Sequence, residues 1–400
     1  MSLDAARFVY LDWAATAPLC AEAARAMQPF LEPGAANLAL GANPNSLHSP
    51  GRAAFAALEQ ARSQLARALG ARRPDEVVLT SGATEADNAA LVGLAHAVRA
   101  RRHADASEVR VAVSAIEHDA VLAPARRLAA EGFDVVEVRP DRAGFVSPEA
   151  LAAALGDDGH AGVASVQAAN SEVGSIQPVA ELARAAHAAG ALFHTDAVQA
   201  LGKAAVDVTA WGADAASFSA HKVGGPKGVG ALYLKARTPF EAQLLGGGQE
   251  GARRSGTQNP CGAAGFAAAC RAAVDALATE APRQRALRDA LYARLCAFPG
   301  VAPAVAVPAG SERFLPNVVN VLVEGMESQT MILRLDALGF CVSGGSACSS
   351  HSLAPSHVLT ALGIAADAAQ GALRVSLGRD TSEADVEAFV EAFGKCLDWK

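Results

Sequence analysis

The chain has 400 residues, of which 51% are hydrophobic and 19% are charged, and this composition excludes an intrinsically disordered protein. Its net charge of −7 argues against a general nucleic-acid binder, because such proteins present a basic surface. No uncharged apolar run of about 20 residues predicts a membrane span, and Met1 to Tyr10 lacks the apolar core of a signal peptide. We therefore expect a cytoplasmic protein that binds neither nucleic acid nor a membrane.

Seven cysteines are scattered along the chain without a C-x-x-C pair. This spacing predicts neither a zinc ribbon nor a dithiol redox motif, and we expect no metal site. A disulfide framework is improbable in a cytosolic chain of this size. An odd number of unpaired cysteines is compatible with one free, reactive thiol.

Up to Leu234, short β-rich runs alternate with alanine-rich helical stretches. The β-rich runs are continuously apolar, which is typical of strands buried on both faces. Strands that alternate with helices predict an α/β fold, in which helices flank a mostly parallel sheet. The predicted strands are residues 77–80, 109–113, 135–138, 163–167, 191–194 and 215–218.

The pattern changes after Leu234, where a Gly-rich loop at 246–257 precedes a long predicted helix at 262–298. The remainder predicts a smaller α+β domain, whose last helix begins at a capping signal at Ser382. Its other predicted elements are strands 318–323, 340–343 and 373–377 and helices 328–338 and 357–362. The predicted domains are a large one, 15–258, and a small one formed by 1–14 and 259–400.

The first motif with chemical potential is Thr-Ser-Gly-Ala-Thr-Glu at residues 80–85, which follows a predicted strand and opens a predicted helix. Gly82 would let a ligand approach the backbone, and free N–H groups at a helix N-terminus bind anions. The motif predicts a phosphate site or, equally, an ordinary helix capped by Ser81 or Thr84.

Two further polar residues follow apolar strands, where α/β sheets place their ligand-binding groups. Asp196 is suited to pair with the pyridine nitrogen of pyridoxal phosphate, and its alternative role is a helix N-cap. Lys222 is suited to form a Schiff base, because partial desolvation activates its amine. The alternative for Lys222 is a surface lysine in a turn.

The last two candidates lie near the C-terminus. Cys348 stands in a run of Gly, Ser and Ala, whereas buried cysteines usually have aliphatic neighbours, so it is predicted to be exposed and nucleophilic. The other six cysteines are predicted to be structural. Arg374 lies within an apolar strand, where a buried guanidinium needs either a substrate carboxylate or an internal salt bridge.

Together and in this order, these motifs resemble the cysteine desulfurases, pyridoxal-phosphate enzymes of the class V aminotransferase group with fold type I. The resemblance implies a seven-stranded sheet and the removal of sulfur from L-cysteine, which gives L-alanine and a persulfide on Cys348. The Ser-rich cysteine loop is similar to that of the housekeeping and nitrogenase-type branch. The similar segments lie between Tyr10 and Arg379 and include 80–85, 116–118, 221–222, 254–257 and 345–348.

The resemblance also implies roles for single residues. Lys222 would carry the cofactor as a Schiff base and move the substrate Cα proton, while His118 would stack on the ring and transfer protons. Cys348 would be the nucleophile, with His118 as its base and His351 as a weaker candidate for that base. Arg374 would bind the substrate carboxylate, with Asn43 and Ser171 nearby.

The remaining implied contacts hold the cofactor itself. Asp196 would face the ring nitrogen, and Gln199 would face the phenolic oxygen. Thr257 would reach the phosphate in the other subunit of a homodimer. A sulfur acceptor, such as an iron–sulfur scaffold protein or a tRNA-thiolation protein, is the further partner implied. The other phosphate contacts would be Ala83, Thr84, Ser219 and His221.

Three positions depart from the family pattern. Ser171 stands where asparagine is common, so its contact would pass through a shorter hydroxyl or a water, or would be lost. Gln249 replaces a frequent histidine and Gly251 a frequent arginine, and both lie in the loop expected to face the dimer partner. Relatives that dock a scaffold protein through a longer C-terminal tail have more sequence after the last helix than this chain has.

Two other functions fit parts of the pattern. One is another class V pyridoxal-phosphate enzyme, such as a selenocysteine lyase, a cysteine lyase or an aminotransferase. The other is a non-catalytic protein that keeps the fold. A pure aminotransferase has no use for Cys348, and a non-catalytic protein has none for Lys222 and Asp196.

Overall fold

The computed structural model describes residues 8–345 and 355–398. Their strands are β1 (Val9–Tyr10), β2 (Val77–Thr80), β3 (Arg110–Ser114), β4 (Asp134–Val138), β5 (Ala161–Ser165), β6 (Leu192–Asp196), β7 (Ala215–Ser219), β8 (Gly230–Leu234), β9 (Val301–Pro303), β10 (Val318–Val323), β11 (Phe340–Cys341) and β12 (Ala372–Ser376). The α-helices are α1 (Ala21–Met27), α2 (Leu38–Gly41), α3 (Ser49–Leu69), α4 (Ala83–Arg102), α5 (Asp119–Ala130), α6 (Pro148–Leu155), α7 (Val179–Ala188), α8 (Val208–Trp211), α9 (Pro260–Leu295), α10 (Ser328–Ala337), α11 (His357–Ala361), α12 (Ala366–Gln370) and α13 (Glu383–Leu397).

The main sheet has seven strands in the order β2-β8-β7-β6-β5-β3-β4, which confirms the predicted α/β architecture. Its strands run parallel except β8, which is antiparallel to both β2 and β7. β8 is absent from the strands predicted above because Gly228 and Gly230 at its start are typical of a turn. The carboxyl ends of β2, β3, β6 and β7 therefore meet at one edge of the sheet.

Both faces of this sheet are covered, as its continuously apolar strands require. Along β3, Val111 and Val113 pack into a core with α4 and α5, whereas Ala112 between them packs into the core on the opposite face. The second core contains side chains of α3, α6, α7 and α9. Period-two alternation thus divides one apolar run between two helical layers.

A smaller sheet, β12-β10-β9, is antiparallel and forms its own core with α10, α13 and the C-terminal half of α9. The parallel pair β1-β11 ties the start of the chain to this region through Val9 and Phe340. Helix α9 connects the two regions, because Phe266 packs in the large core and Leu291 in the small one. Among the described residues, α9 is also the one helix long and apolar enough to cross a membrane, and 44% of its most apolar window is buried inside the protein.

The predicted cap of α13 is present as a reciprocal pair. The Ser382 hydroxyl accepts from the Asp385 N–H at 3.2 Å, and the Asp385 carboxylate accepts from the Ser382 N–H at 2.8 Å. We expect Ser382→Ala to lower the free energy of unfolding by about 1 kcal/mol, because a helix N–H loses its acceptor. Urea unfolding measures this loss, and a loss no larger than that of the exposed control Ser107→Ala would contradict it.

Candidate active site

A cavity of about 470 Å³ opens at the carboxyl ends of the main-sheet strands, beside the first turn of α4. It brings together ten of the residues singled out by the sequence, which come from segments as distant as β2 and β12. The ten are Ala83, Thr84, His118, Ser171, Asp196, Gln199, Ser219, His221, Lys222 and Arg374.

Lys222 lies in a single 3-10 turn that follows β7 and reaches into this cavity. Its Nζ donates to the carbonyl oxygens of Ala14 at 2.7 Å and Ala15 at 2.9 Å, and these bonds position the amine. Beside it, burial and, to a smaller extent, the charge of Lys222 lower the pKa of His221 to about 4. His221 is therefore a neutral imidazole at pH 7.

Asp196 is the last residue of β6, and its Oδ1 accepts from the Val198 N–H at 2.9 Å. The described residues that follow it begin no helix before α8, so the alternative role as a helix N-cap is wrong. Burial raises the pKa of Asp196, while the Val198 N–H and the charges of His118 and Lys222 act in the opposite direction. This carboxyl therefore has both a donor and nearby cations to stabilise its ionised form.

Gln199 lies three residues further on and is buried. Its Nε2 donates to the Ala14 carbonyl at 3.0 Å, whereas its Oε1 has no hydrogen-bond partner within the described ranges. A buried amide oxygen without a donor carries a desolvation cost, which a ligand hydroxyl or N–H would remove.

The N-terminus of α4 forms an open cradle between β2 and the cavity. Gly82 occupies the N-cap position, and no side chain caps the helix, so the alternative of an ordinary cap by Ser81 or Thr84 is wrong. Ser81 instead bonds the Glu85 carboxylate at 2.8 Å through its N–H. A Cβ on Gly82 would meet no atom within 4 Å, which leaves room for an anion against the helix N–H groups.

His118 caps α5, since its Nδ1 accepts from the Ala120 N–H at 3.0 Å. In a neutral imidazole whose Nδ1 accepts, Nε2 carries the proton. With Nδ1 engaged at the helix cap, Nε2 is the ring nitrogen through which His118 could exchange a proton with a ligand in the cavity.

Arg374, in β12, makes the internal salt bridge that was one of its two predicted roles. Its Nη1 donates to the Ser171 carbonyl at 3.1 Å, and its Nη2 pairs with the Asp12 carboxylate at 3.0 Å. Its buried Nε has no partner within 8–345 and 355–398. Burial raises the pKa of Asp12, and Arg374 counteracts this rise. An entering carboxylate would compete with Asp12 for the guanidinium.

Asn43 and Thr257 do not line this cavity in the single chain. They border another cavity, of about 380 Å³, together with Pro44 and Gln258. The side-chain Oδ1 of Asn43 accepts from the Asn45 N–H at 2.9 Å, so this side chain is engaged in its own loop. The roles of Asn43 and Thr257 stay predictions.

Cys348 and His351 lie outside the described residues, but the ends of their segment are visible. Ser356 donates its hydroxyl to Glu172 Oε2 at 2.6 Å, and a Cβ on Gly345 would lie 3.2 Å from the same oxygen. Glu172 therefore contacts both ends of the segment that carries Cys348, and it directly follows the cavity residue Ser171.

The other six cysteines are free thiols. Burial raises the pKa of Cys270 to about 12 and also raises the pKa of Cys261, Cys296 and Cys396. For Cys341, burial and the charges of Asp336 and Asp12 raise the pKa. Raised thiol pKa values disfavour the nucleophilic thiolate, in agreement with structural roles for these residues.

Two buried acids of the site were missed by the sequence reasoning. Asp87 lines the cavity, and Glu117, in the loop between β3 and α5, accepts from the Gln167 N–H at 2.7 Å. A signal for Asp87 was available, because it lies among Ala86, Ala90 and Leu91 on the buried side of α4. An acid on the apolar face of a helix is rare unless it is paired.

Comparisons with known proteins agree with this site. A family model described as aminotransferase class-V matches residues 9–389. The chain is 38% identical to a protein of Dictyoglomus turgidum named "cysteine desulfurase IscS", over 98% of this chain and 95% of that protein. A solved structure titled "NIFS-LIKE PROTEIN" superposes with a TM-score of 0.88 at 34% identity, covering 98% of this chain and 100% of that chain. Another, "SspA in complex with cysteine", has a TM-score of 0.75 at 30% identity over 92% of this chain and 98% of its own. The chain therefore belongs to the aminotransferase class-V family.

Proposed function

We infer that this protein is a cysteine desulfurase, which takes sulfur from L-cysteine and carries it as a persulfide on Cys348. The observation that carries this function is one cavity in which Lys222, Asp196 and Arg374 converge on an uncapped helix N-terminus. An amine, a carboxylate, a guanidinium and an anion cradle are the groups needed to hold an amino acid against a phosphorylated pyridine ring. The relatives named as cysteine desulfurases support the same reaction.

Pyridoxal phosphate is the proposed cofactor, and the cavity has a fitting group for each part of it. The N–H groups of α4 suit its phosphate, Asp196 suits the pyridine nitrogen, and the unpartnered Oε1 of Gln199 suits a ring substituent that donates a hydrogen bond. Lys222 is a lysine of the cavity whose amine could condense with the carbonyl group of the cofactor. When bound, the cofactor supplies an electron sink for the charge released at the substrate Cα.

Each residue of the site then has its own role in the reaction. Arg374 binds the substrate carboxylate in a fixed orientation, and Lys222 moves the proton at the substrate Cα. The Cys348 thiolate attacks the substrate sulfur, and the Cβ–S bond breaks with its electron pair left on carbon. A proton from solvent, delivered directly or through a protonated His118, then completes L-alanine. The released sulfur stays on Cys348 as a persulfide, which transfers its outer sulfur to a second thiolate on an acceptor protein.

Mass spectrometry after incubation with L-cysteine tests this function. We expect one added sulfur atom on the peptide that contains Cys348, and we expect Cys348→Ala to bind the yellow cofactor but to release no sulfur. Cys341→Ala is the matched control, because this thiol is half-buried and its raised pKa disfavours the thiolate. Unchanged sulfur release by Cys348→Ala, or sulfur on another cysteine, would contradict the proposal.

We also propose a homodimer in which a second copy of the chain completes each site. Thr257 lies outside the cavity of its own chain. The loops that bond to the residues beside it, Asn45 to Gln258 and Leu244 to Ser255, carry two highly exposed apolar side chains, Leu47 at 90% and Leu245 at 81%. A patch of this kind on a protein surface marks an interface. A solution mass of twice 40.6 kDa is the expected result.

The double variant Leu47→Asp/Leu245→Asp should be monomeric and inactive, because buried charges oppose association. Leu333→Asp is the control, since Leu333 is 71% exposed on α10, away from that loop. An active monomer would contradict the shared site.

A further inference from the structure

Asp87 is a buried acid for which the reaction described above has no use. It lies one turn into α4, is 1% exposed and lines the floor of the cavity. Neither of its carboxylate oxygens has a hydrogen-bond partner among the described residues. An ionised carboxylate in such a position would carry a large desolvation cost, so the side chain must either be neutral or meet a nearby cation.

The groups that face Asp87 provide no such cation. From β6, His194 Nε2 lies 3.6 Å from Asp87 Oδ1, but burial lowers the pKa of His194 to about 3, so its ring is neutral. That ring is also engaged on both sides, with the hydroxyl of Ser165 at 2.8 Å and that of Ser217 at 3.0 Å. The remaining ionisable neighbours, Asp196 and Glu117, are acids.

Burial and the acidic neighbours of Asp87 all favour its protonated form. Burial and the charges of Asp196 and Glu117 together raise the pKa of Asp87 well above its usual range, and only the nearby Ser217 hydroxyl acts against them. Burial also raises the pKa of Asp196, but the Val198 N–H and the charges of His118 and Lys222 act against that rise. When two interacting carboxyl groups differ in this way, one keeps the proton and the other keeps the charge.

We propose that Asp87 is a protonated carboxylic acid in the cavity floor and acts as a positioning residue, which leaves the negative charge of the Asp87–Asp196 pair on Asp196. The ring nitrogen of a bound cofactor then meets one localised charge. This role deepens the proposed function and rests on it for its catalytic consequence, but the protonation of Asp87 is a property of the chain alone.

Unfolding of the full-length, cofactor-free chain in urea between pH 5 and pH 8 tests the protonation. A folded-state pKa above the unfolded value means that the folded protein binds the extra proton, so stability falls as the pH rises between the two values. Asn cannot ionise, so the stability of the Asp87→Asn variant does not fall with pH for this reason. The unfolding constant of the wild type, divided by that of Asp87→Asn, should rise by up to about tenfold per pH unit until Asp87 ionises.

Asp75→Asn is the matched control, because Asp75 is exposed and its ratio should be constant over this range. A constant ratio for Asp87→Asn as well would show that Asp87 is ionised in the folded protein, and it would overturn the proposal. Ratios between variants cancel the titration of the shared groups that do not interact with the substituted residue.

Equilibrium binding of pyridoxal phosphate at pH 7 tests the positioning role. Asp87→Asn should bind it within about threefold of the wild type, whereas Asp196→Asn should bind it at least about tenfold more weakly, since a charge-assisted hydrogen bond is lost. Equal weakening by the two variants would place the charge on Asp87 and refute the role. If the wild type itself binds no pyridoxal phosphate, the proposed function fails, while the unfolding ratios still decide the protonation of Asp87.

Discussion

Lys222→Ala should reduce the release of sulfur from L-cysteine by at least about 1,000-fold, within the range that a positioned acid–base group contributes. The variant loses the amine that reaches a carbonyl group and moves the Cα proton. The rest of the cavity should stay intact, because water can take the place of the amine at the carbonyl oxygens of Ala14 and Ala15. The measurement is the initial rate of L-alanine formation.

The control for this variant is Lys235→Ala. Lys235 lies outside the cavity and pairs with Asp214 at 3.4 Å, so its loss removes the same charge and leaves the reaction untouched. Both proteins should give the same far-ultraviolet circular dichroism spectrum as the wild type. Retention of more than a tenth of the wild-type rate by Lys222→Ala would refute the assigned role.

Glu250→Ala should lower the free energy of unfolding by about 3–5 kcal/mol, the range measured when one partner of a buried ion pair is removed. Arg62 donates to both Glu250 oxygens, at 2.5 and 2.8 Å, and the Leu79 N–H donates to the same carboxylate at 2.9 Å. Without Glu250, the buried guanidinium of Arg62 keeps its charge but loses its counterion. Urea unfolding measures the difference.

Asp75→Ala is the matched control for Glu250→Ala. The pair of Arg73 and Asp75 has a similar length, 2.7 Å, but its side chains are 64% and 60% exposed. An exposed pair contributes only about 0–1 kcal/mol, because water solvates both ions when they separate. If the two variants lose the same stability, burial does not govern the Arg62–Glu250 pair and the prediction is wrong.

The Arg62–Glu250 pair should also make the stability of the protein depend on pH, in a direction that the pKa of Glu250 determines. Burial acts to raise the pKa of Glu250, but the hydrogen bonds and charge of Arg62 outweigh it, so the pKa is lowered. The stabilisation is therefore present above the unfolded-state pKa of glutamate and is lost as the pH falls through the folded-state value. In Glu250→Gln this acid-induced loss should be absent.

The position of this pair explains why it matters for the proposed dimer. Glu250, Gly251 and Ala252 have φ angles of +52°, +64° and +63°, three consecutive left-handed residues. A left-handed backbone costs about 1–2 kcal/mol for each residue with a Cβ. The ion pair holds this unfavourable turn against α3 and β2, and the turn leads directly to Thr257.

Much of the fold was predictable because its signals are local. Residues 77–80 and 318–323 are strands with the predicted bounds, and the capping pair at Ser382 begins the last helix as expected. The chemistry was predictable for a similar reason. Lys222 and Asp196 each follow an apolar strand, and parallel strands bring their carboxyl ends together whatever the details of packing.

The sequence by itself therefore determined the architecture, the family and the identity of the groups that converge in the cavity. Only the tertiary structure decided which groups interact, since these groups come from distant segments: Asp12 with Arg374, Glu250 with Arg62, and Asp87 with Asp196. Charge state and burial depend on a group's neighbours in three dimensions, which the local sequence pattern does not indicate. Whether a buried carboxyl holds a proton or a charge is for that reason a property of the folded protein.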